Sequence, residues 1–280
     1  MLLITGANGQ LGKCLQDILP AEKLVLTDVA ELDIINEKAV LALGEKHAFT
    51  AIINCAAYTN VDRAESEPDL ARKINVNGPA NLAKLAAVKQ IPLIHISTDY
   101  IFDGTAHTPI AEDDPAHPLG VYGQTKWEGE QAVLAHAHTA VILRTAWLYS
   151  CYGKNFVKTM LCLAKQRAQI SVVADQFGTP TYAPHLAQAI VNVLPYIKPK
   201  TKEIYHFTDE GTATWYDLAY YTLKCANSSA TVLPIHTSDY PTPAKRPAFG
   251  VLDKTKFKTT FHTSLPHWTK GVEQCLKKLS

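Results

Sequence analysis

The sequence predicts an α/β protein built on a doubly wound parallel sheet, followed by a smaller C-terminal α/β lobe. Over residues 1–150, short apolar runs alternate with segments of helical periodicity, the pattern of parallel strands joined by crossover helices. These runs are too continuous in apolar character for a sheet with one wet face, so helices are expected on both faces. Beyond residue 150 prolines and turn-forming residues become frequent, which indicates a second lobe over 151–280, with some later segments returning to the first domain.

Five apolar runs are the predicted strands of the first domain. They are Leu2 to Thr5, Leu24 to Asp28, Ala51 to Ala56, Leu93 to Ser97 and Val141 to Thr145. Each run has the length of an ordinary strand and is too short for a buried helix. Strands of this kind, separated by helical segments, give a Rossmann-type sheet.

Helical periodicity fills the gaps between these strands. One face of the first helix is apolar, with residues at i, i+4, i+7 and i+8, namely Leu11, Leu15, Ile18 and Leu19. Pro20 ends this helix because proline cannot continue the hydrogen-bond ladder. A longer helix is predicted from Asp69 to Lys89, with a kink at Gly78-Pro79. In the second lobe, helices are predicted over 155–166 and 215–226.

The composition excludes several classes of protein. The chain has 280 residues, 47% of them apolar, and 27 basic against 26 acidic side chains, for a net charge of +1. Disordered chains combine low hydrophobicity with high net charge, and nucleic-acid binders are usually strongly basic, so neither class is expected. No apolar run approaches the ~20 residues of a membrane helix, and the N-terminus lacks the features of a signal peptide. We therefore expect a cytoplasmic protein without membrane or nucleic-acid partners.

The six cysteines point to no disulfide framework or thiol-based metal site. They are widely scattered and include no C-x-x-C pair, standing at Cys14, Cys55, Cys151, Cys162, Cys225 and Cys275. Reduced, mostly buried thiols are therefore expected.

A glycine-rich turn directly follows the first predicted strand and opens the first helix. Gly6, Gly9 and Gly12 have the spacing G-x-x-G-x-x-G, which differs from the usual G-x-G-x-x-G fingerprint. Such glycines let backbone N–H groups approach a pyrophosphate, and the first strand-to-helix turn is where doubly wound folds bind dinucleotides. The position therefore favours a dinucleotide-binding domain over residues 1–150, although a purely structural turn is the alternative.

Acidic residues near the second strand bear on the choice of cofactor. Asp28 ends that strand about twenty residues beyond the glycines, where an acidic side chain bonds the ribose hydroxyls of NAD. Asp33 competes for a role near the adenine, and a turn or helix cap is the alternative for either residue. No arginine lies between Asp28 and Asn60 to hold a 2′-phosphate, although Lys38 is a candidate. The preference between NADH and NADPH therefore stays open.

Two further groups of polar residues suggest catalysis. Tyr122 and Lys126 are spaced i and i+4, which places the phenol and the ammonium on one helical face. A nearby cation lowers the pKa of a phenol and makes it usable as an acid or base. Ser97 and Thr98 end the fourth strand, at the sheet edge where α/β proteins bind ligands, so either hydroxyl is a candidate to bond a substrate carbonyl. Structural roles are the alternative for each group taken alone.

Together these residues resemble the extended short-chain dehydrogenases/reductases, and within them the subfamily of dTDP-4-dehydrorhamnose reductases. The matching stretches run through nearly the whole chain: G-A-N-G-Q-L-G from Gly6, N-C-A-A-Y-T-N-V-D from Asn54, A-E-S-E-P from Ala64, S-T-D-Y-I-F-D-G from Ser97, V-Y-G-Q-T-K from Val121, R-T-A-W-L-Y from Arg144, D-Q-F-G-T-P-T from Asp175 and Y-P-T-P-A-K-R-P from Tyr240. The resemblance implies reduction of the C4 ketone of dTDP-4-dehydro-L-rhamnose by NADPH or NADH. That reaction is the last step of dTDP-L-rhamnose synthesis for surface polysaccharide such as the O-antigen of lipopolysaccharide.

The resemblance also implies roles for single residues. Tyr122 would donate the proton, and Lys126 would bind the nicotinamide ribose and tune Tyr122. Thr98 would bond the substrate carbonyl, Asp99 would adjust the acidity of the site, and Trp147 would pack against the deoxysugar. The implied dinucleotide contacts are Gly6, Gly9, Gln10, Leu11, Gly12, Asp28, Asp33, Ile34, Ala57, Tyr58, Thr59 and Ile96, together with Tyr122 and Lys126. For the nucleotide end of the substrate, Lys245 and Arg246 are expected at the pyrophosphate, and Trp215 or Phe249 against thymine.

Departures from the pattern of relatives limit what is expected of metals and partners. Some relatives dimerise around a magnesium ion held by glutamates, and the matching positions here are Cys14 and Pro184. Neither side chain suits a hard cation, so we expect no structural metal and a monomer or weak homodimer whose ligand is a small nucleotide sugar.

Three other functions are compatible with the same fold. A reductase of a related dTDP-4-keto-6-deoxysugar would use the same catalytic groups. A dehydratase or epimerase is a second alternative, but dehydratases carry a glutamate after the aspartate, where this chain has Tyr100 after Asp99. A non-catalytic regulatory subunit that binds NADP is the third.

Overall fold

A six-stranded, fully parallel sheet forms the centre of the molecule. The computed structural model describes residues 1–279. The sheet has the order β10-β5-β4-β3-β1-β2. Its strands are β1 Leu2–Thr5, β2 Leu24–Thr27, β3 Ala51–Asn54, β4 Leu93–Thr98, β5 Ala140–Thr145 and β10 Lys202–His206. The predicted Rossmann-type sheet is confirmed, and the five predicted strands differ from the observed ones by no more than two residues at either end.

The order of the strands places a crevice at one edge of the sheet. β1 pairs with β2 on one side and with β3 on the other, so the direction in which the chain adds strands reverses at β1. Ligands of open α/β sheets bind beyond the carboxyl ends of the strands at such a reversal. The turn after β1 and the loop after β3 therefore border the expected binding crevice.

Helices cover both faces of this sheet. The eleven helices of the described residues are α1 Gln10–Gln16, α2 Glu37–Lys46, α3 Val61–Ala64, α4 Pro68–Arg72, α5 Gly78–Lys89, α6 Val121–His136, α7 Phe156–Ala164, α8 Ala183–Val193, α9 Trp215–Cys225, α10 Thr255–Thr260 and α11 Trp268–Leu279. Apolar residues of α1 and α8 pack with Ile4 and Ile53 on one face. Residues of α2, α5 and α6 pack with Leu3 and Ile52 on the other. Alternate strand residues thus serve two cores.

The helix predicted from Asp69 to Lys89 is irregular in its middle. A π-helical turn at Lys73–Asn77 joins α4 to α5. The irregularity therefore lies one turn before Gly78-Pro79, and Pro79 itself stands in the first turn of α5, where its missing N–H is not needed. The carbonyl of Asn75 in the π turn approaches α6 so closely that only a glycine fits opposite it, at Gly129.

The C-terminal part combines three two-stranded pairs with helices, and one of its segments returns to the main sheet. The short strands are β6 Leu148–Tyr149, β7 Gln169–Val173, β8 Phe177–Gly178, β9 Thr181–Tyr182, β11 Ala213–Thr214 and β12 Thr231–Ile235, paired β6 with β9, β7 with β12 and β8 with β11. Between them β10 pairs with β5 in the main sheet. The helices predicted over 155–166 and 215–226 correspond to α7 and α9.

The state of the cysteines and the character of the helices bear on two further expectations. All six cysteines are free thiols. Only Cys14 and Cys275 are buried, whereas Cys55, Cys151 and Cys225 are half-buried and Cys162 is exposed, so the expectation of mostly buried thiols is wrong. No helix among residues 1–279 has the length and apolar character needed to cross a membrane.

Candidate active site

The glycine-rich turn is shaped for close backbone approach. Gly6 has a φ of 65°, and a Cβ there would lie 2.6 Å from the backbone nitrogen of Ala56, just after β3. A Cβ at Gly12 would lie 2.5 Å from the carbonyl oxygen of Gly6. The turn after β1 and the loop after β3 are therefore packed backbone against backbone. This cradle fits a dinucleotide, with Gly9 exposed and Gln10 half-buried at its open side, whereas the side chain of Leu11 is buried in the core.

Side chains from three segments hold the rim of this crevice. The carboxylate of Asp28 accepts a hydrogen bond from the backbone N–H of Asn8 at 3.0 Å, which fixes the glycine turn against the end of β2. The backbone N–H of Asp28 donates to Glu31 at 2.9 Å, so two carboxylates lie where the adenosine ribose is expected. The side-chain amide of Gln10 donates to the carbonyl of Leu148 and accepts from Ser150 and from Asn155, the residue before α7, which ties α1 to segments on both sides of residue 150.

The loop after β3 carries Ala57, Tyr58 and Thr59. Tyr58 is fixed at both ends, since its N–H donates to Asn75 at 2.8 Å and its hydroxyl donates to Glu67 at 2.7 Å. The two residues predicted to flank the adenine are Asp33 and Ile34, and their surroundings differ. Asp33 accepts a hydrogen bond from the N–H of Ile35, and the side chain of Ile34 is buried in the core, where it packs against Gly78. The carbonyl oxygen of Ile34 accepts a hydrogen bond from the Asn81 amide at 3.0 Å.

The structure brings together the residues predicted to be catalytic. Thr98 ends β4, and its hydroxyl lies close enough to Tyr122, in the first turn of α6, to lower the pKa of the phenol. Lys126 lies one turn further along the same helix face, almost fully buried, and its ammonium donates to the carbonyl oxygen of Ile96 at 2.6 Å. An ammonium has three N–H donors, and no hydrogen bond among the described residues uses the other two. Two donors thus remain for a ribose.

Burial sets the protonation of this cluster. It raises the pKa of Tyr122 to about 12, an effect that the nearby Thr98 hydroxyl opposes. Lys126 is not among the groups that shift this pKa, so the lowered pKa predicted for Tyr122 is wrong. Tyr122 carries its proton at neutral pH, as a proton donor must. Burial also lowers the pKa of Lys126 to about 8, and the charge of Glu130 one turn away opposes the shift. Glu130 is itself paired with Arg144 at 2.8 Å, so it only partly offsets the burial of Lys126.

Asp99 is a buried carboxyl group with one unpartnered oxygen. Its Oδ1 accepts a hydrogen bond from the Thr98 hydroxyl at 3.0 Å, while its Oδ2 has no partner among residues 1–279. Burial raises the pKa of Asp99 to about 7. When Asp99 is ionised it holds the Thr98 hydrogen. When it is protonated it donates to Thr98, whose own hydrogen then becomes free for a substrate oxygen.

This arrangement predicts a pH dependence. As pH rises through about 7, Asp99 loses its proton and captures the Thr98 hydrogen, so kcat/KM for ketone reduction is expected to fall. Asp99→Asn keeps a neutral donor beside Thr98 at every pH and should lack this fall, while any decline near pH 8 that belongs to Lys126 should persist. The measurement is kcat/KM from pH 5.5 to pH 9.5 for both proteins. An unchanged fall near pH 7 in the variant would assign it to another group.

Beyond the catalytic cluster lies a cavity bordered by the second lobe. Its lining includes Asp99, Trp147, Gln176, Phe177, Trp215 and Arg246. Trp147 has a φ of 48°, in the left-handed region that a bulky residue rarely adopts, and its ring stacks on Trp215 with centroids 3.6 Å apart. One face of Trp215 is thus covered by Trp147 and is closed to thymine. Phe249 pairs through its backbone with Phe177.

The two basic residues predicted at the substrate phosphates lie on either side of Tyr100. Arg246 pairs with Asp62 at 2.8 Å. Lys245 lines a small neighbouring cavity together with Glu65, Tyr100 and Tyr122. Both cations therefore lie within the same region as the catalytic groups, on the segment that carries the Y-P-T-P-A-K-R-P motif.

Two residues that support the site carried no predicted role. Glu65 follows α3, and its carboxylate accepts a hydrogen bond from the N–H of Val121 at 2.9 Å, at the first residue of α6. Gly123 packs so closely on the carbonyl of Tyr100 that a Cβ could not be accommodated. Glu65 lies within the motif A-E-S-E-P, so the sequence indicated that this segment matters. The motif did not indicate the hydrogen bond between Glu65 and Val121.

Glu65 is expected to fix the start of the catalytic helix. Glu65→Gln removes a negative charge from the N-terminus of α6 and weakens the hydrogen bond to Val121, so Tyr122 loses a fixed position. We expect kcat to fall about tenfold and the free energy of unfolding to fall by about 1 kcal/mol, the usual value of a helix cap. Steady-state kinetics and urea unfolding measure both. Glu203→Gln, at an exposed pair with Lys256 on a strand and not at a helix N-terminus, is the matched control and should change neither.

Comparison with known proteins agrees with this geometry. Residues 1–280 match the family model described as the RmlD substrate binding domain. The chain belongs to this family. A dTDP-4-dehydrorhamnose reductase of Aggregatibacter actinomycetemcomitans is 41% identical, over 97% of each chain. A dTDP-4-keto-6-deoxy-D-glucose reductase of Streptomyces niveus is 37% identical, over 99% of this chain and 97% of the relative.

A solved structure extends the likeness to three dimensions. The dTDP-4-dehydrorhamnose reductase of Bacillus anthracis, crystallised in complex with NADP, superposes with a TM-score of 0.95 at 38% identity and covers 99% of this chain and 98% of its own. The match to the RmlD substrate-binding-domain family thus spans the whole chain, including the motifs from Asp175 and Tyr240 that lie outside the main sheet.

Proposed function

We propose that the protein reduces the C4 ketone of dTDP-4-dehydro-L-rhamnose to dTDP-L-rhamnose with NADPH or NADH, in the last step of dTDP-rhamnose synthesis. The observation that carries the proposal is the cluster of Thr98, Tyr122 and Lys126. These groups lie at the carboxyl end of the parallel sheet, beside a glycine cradle that fits a dinucleotide, in a chain of the RmlD substrate-binding-domain family. The cluster supplies a proton donor, a hydroxyl for the carbonyl oxygen and an ammonium for the cofactor ribose.

The chemistry follows from the protonation states of these residues. When bound, the reduced nicotinamide supplies the hydride that reaches the carbonyl carbon. Tyr122, protonated because of its high pKa, gives its proton to the oxygen as negative charge develops there. The hydroxyl of Thr98 donates to the same oxygen and stabilises that charge more in the transition state than in the substrate. The Lys126 ammonium stabilises the resulting phenolate and holds the ribose with its two free donors.

The proposal assigns the two parts of the chain different ligands. The domain over residues 1–150, completed by β10 and α8, would hold the dinucleotide. The lobe over 151–280 would hold the nucleotide sugar, with the deoxysugar against Trp147 and the diphosphate near Lys245 and Arg246. The proposed dinucleotide contacts are those predicted from the sequence.

The proposed cofactors are NADPH and NADH. The related B. anthracis reductase was crystallised with NADP. In this chain, however, Asp28 and Glu31 place two carboxylates at the end of β2, where a 2′-phosphate would meet like charge. We therefore propose that NADH is used as well as NADPH, and the ratio of the two rates is measured in the experiment below.

A second candidate function is supported by the Streptomyces niveus relative, named as a dTDP-4-keto-6-deoxy-D-glucose reductase. That substrate differs from the rhamnose precursor in stereochemistry at C3 and C5, and the catalytic groups described above act only at C4. The same cluster would serve either sugar.

One experiment separates these functions. Oxidation of NADPH and of NADH is followed by absorbance with dTDP-4-dehydro-6-deoxy-D-glucose, in parallel with and without its 3,5-epimerase. Oxidation that requires the epimerase supports the rhamnose reductase. Equal oxidation without it supports the second candidate. Binding of the cofactor with no oxidation in either arm would contradict both and favour a regulatory subunit, and conversion of the sugar without net oxidation would favour an epimerase or dehydratase.

The remaining expectations concern location and assembly. We propose that the protein works in the cytoplasm as a monomer or weak homodimer on a small nucleotide sugar. Cys14 is buried on α1 and Pro184 lies in the first turn of α8, so the proposed assembly has no bridging magnesium ion.

A further inference from the structure

A bidentate ion pair links the two parts of the chain beside the catalytic cluster. Asp62, on the short helix α3, accepts from Arg246 through both carboxylate oxygens, with Oδ2 to Nη2 at 2.8 Å and Oδ1 to Nη1 at 3.1 Å. The N–H of Ala244 also donates to Asp62 at 3.3 Å, and Nη1 of Arg246 donates to the carbonyl of Ala244 at 3.4 Å. The two residues are 184 positions apart in the sequence. Asp62 thus fixes both the guanidinium and the loop that carries it.

The remaining donors of Arg246 form one free edge. A guanidinium has five N–H donors in a rigid plane. Asp62 occupies the end formed by Nη1 and Nη2, and Ala244 takes the second hydrogen of Nη1. Nε–H and the outer hydrogen of Nη2 remain, and no hydrogen bond among residues 1–279 uses them. These two donors lie parallel on the same edge, which is the geometry that binds two oxygens of a phosphate or carboxylate.

The position of Arg246 indicates which anion this edge meets. The residue lines the cavity that also contains Asp99, Trp147 and Gly250, next to the reacting groups. The neighbouring Lys245 lines the adjoining cavity with Tyr122. A nucleotide sugar whose ketone lies at Tyr122 carries its diphosphate a sugar ring away, within reach of both cations.

We propose that Asp62 is a positioning residue, which orients Arg246 so that its free Nε/Nη2 edge binds the diphosphate of the nucleotide-sugar substrate. This inference rests on the proposed function and adds to it a residue from the cofactor-binding domain. Because Asp62 touches neither the reacting atoms nor the phosphate, its effect is on substrate affinity. Without the Asp62 carboxylate, Arg246 keeps its charge but loses its fixed orientation. A freely rotating guanidinium loses more conformational entropy when it binds an anion.

The test compares binding of dTDP and of thymidine, measured by calorimetry on the wild-type protein with NADPH present. Asp62→Asn keeps the size of the side chain and removes its charge. We expect its Kd for dTDP to rise about tenfold, the effect of one charge-assisted hydrogen bond. The Kd for thymidine, which has no phosphate, and for NADPH should stay unchanged. With the sugar substrate, KM should rise by a similar factor while kcat changes less than about twofold.

A matched control and a double mutant make the test specific. Glu203→Gln removes the carboxylate of an exposed pair with Lys256, remote from the site, and should leave every constant unchanged. Arg246→Ala should weaken dTDP binding more than Asp62→Asn does, and the double variant should be no weaker than Arg246→Ala alone, because Asp62 acts only through Arg246. If either other variant fails to fold, Arg246→Lys takes its place. This variant retains the charge without the guanidinium fork and should also weaken dTDP binding.

Several outcomes would overturn the inference. Tighter binding of dTDP by Asp62→Asn would show that Asp62 competes with the phosphate for Arg246. Equal weakening of dTDP and thymidine, or additive losses in the double variant, would show that Asp62 only supports the loop. An unchanged Asp62→Asn variant in a protein that binds dTDP and reduces the sugar would reject the positioning role alone. A wild-type protein that binds no dTDP would reject the proposed function as well.

Discussion

Tyr122→Phe is expected to lower kcat for ketone reduction by about 10²-fold to 10⁴-fold, the contribution typical of a positioned general acid. The variant loses only the phenolic hydroxyl, so the carbonyl oxygen receives no proton as it gains charge. Thr98 keeps its hydrogen bond to Asp99 and its place at the end of β4. The ring contact between Tyr122 and Tyr100 should survive, since phenylalanine retains the ring. NADPH affinity should therefore remain close to that of the wild type.

The measurement is NADPH oxidation in steady state, with cofactor binding followed separately by nicotinamide fluorescence. Tyr220→Phe, an exposed tyrosine on α9, is the matched control and should retain full activity. A Tyr122→Phe variant that keeps more than about a tenth of the wild-type kcat would contradict the role of proton donor, because general acids normally contribute at least 10²-fold. Loss of cofactor binding in the variant would show that the hydroxyl serves the dinucleotide instead.

The sequence was sufficient to predict the main sheet because its signals are local. Continuous apolar runs define the strands, and glycine spacing defines the turn after β1. Gly6 illustrates the strength of such a signal, since the packing of its Cα on Ala56 leaves no space for a side chain. Tyr122 and Lys126 were also predictable, because an i, i+4 spacing on a helix fixes their common face without reference to any other element.

Contacts between distant segments could not be predicted in this way. The carboxylate of Glu65 meets an N–H 56 positions later, and that of Asp62 meets a guanidinium 184 positions later. Asp62 lies in the short helix α3 and Glu65 directly follows it. For polar residues at such positions, exposure to solvent is the ordinary expectation. Similarly, the left-handed backbone of Trp147 arises where its ring packs on Gly178 and Trp215, a constraint that no local pattern records.

The kink near Gly78 shows the intermediate case. A Gly-Pro pair correctly indicated an irregular helix, but the π turn lies at Lys73–Asn77 because tertiary packing selects its position. The carbonyl of Asn75 must approach Gly129 on α6, and the Asn75 side chain must reach both Tyr58 and Thr125. The sequence predicted which helix is irregular, whereas packing against α6 determines the position of the π turn.

Lys126→Met is expected to impair both cofactor binding and catalysis. Methionine fills a similar volume but has no charge, so it neither stabilises the Tyr122 phenolate nor donates to Ile96. We expect kcat to fall about 10²-fold and the Kd for NADPH to rise about tenfold, corresponding to the loss of a charged hydrogen-bond donor at each step. Lys84→Met, at an exposed pair with Glu37, is the matched control and should change neither constant.

The pH dependence separates the charge of Lys126 from its shape. The wild-type ammonium loses its proton as pH rises through about 8, so kcat/KM should fall there. Lys126→Arg retains a cation at every accessible pH and, whatever its absolute rate, should keep only the fall that begins near pH 7 with Asp99 and lack the steeper, second fall near pH 8. Lys126→Met should be low and should likewise show only the fall that belongs to Asp99. A second fall near pH 8 that persists in the arginine variant would mean that another group titrates there, and that the charge of Lys126 is not what the reaction requires.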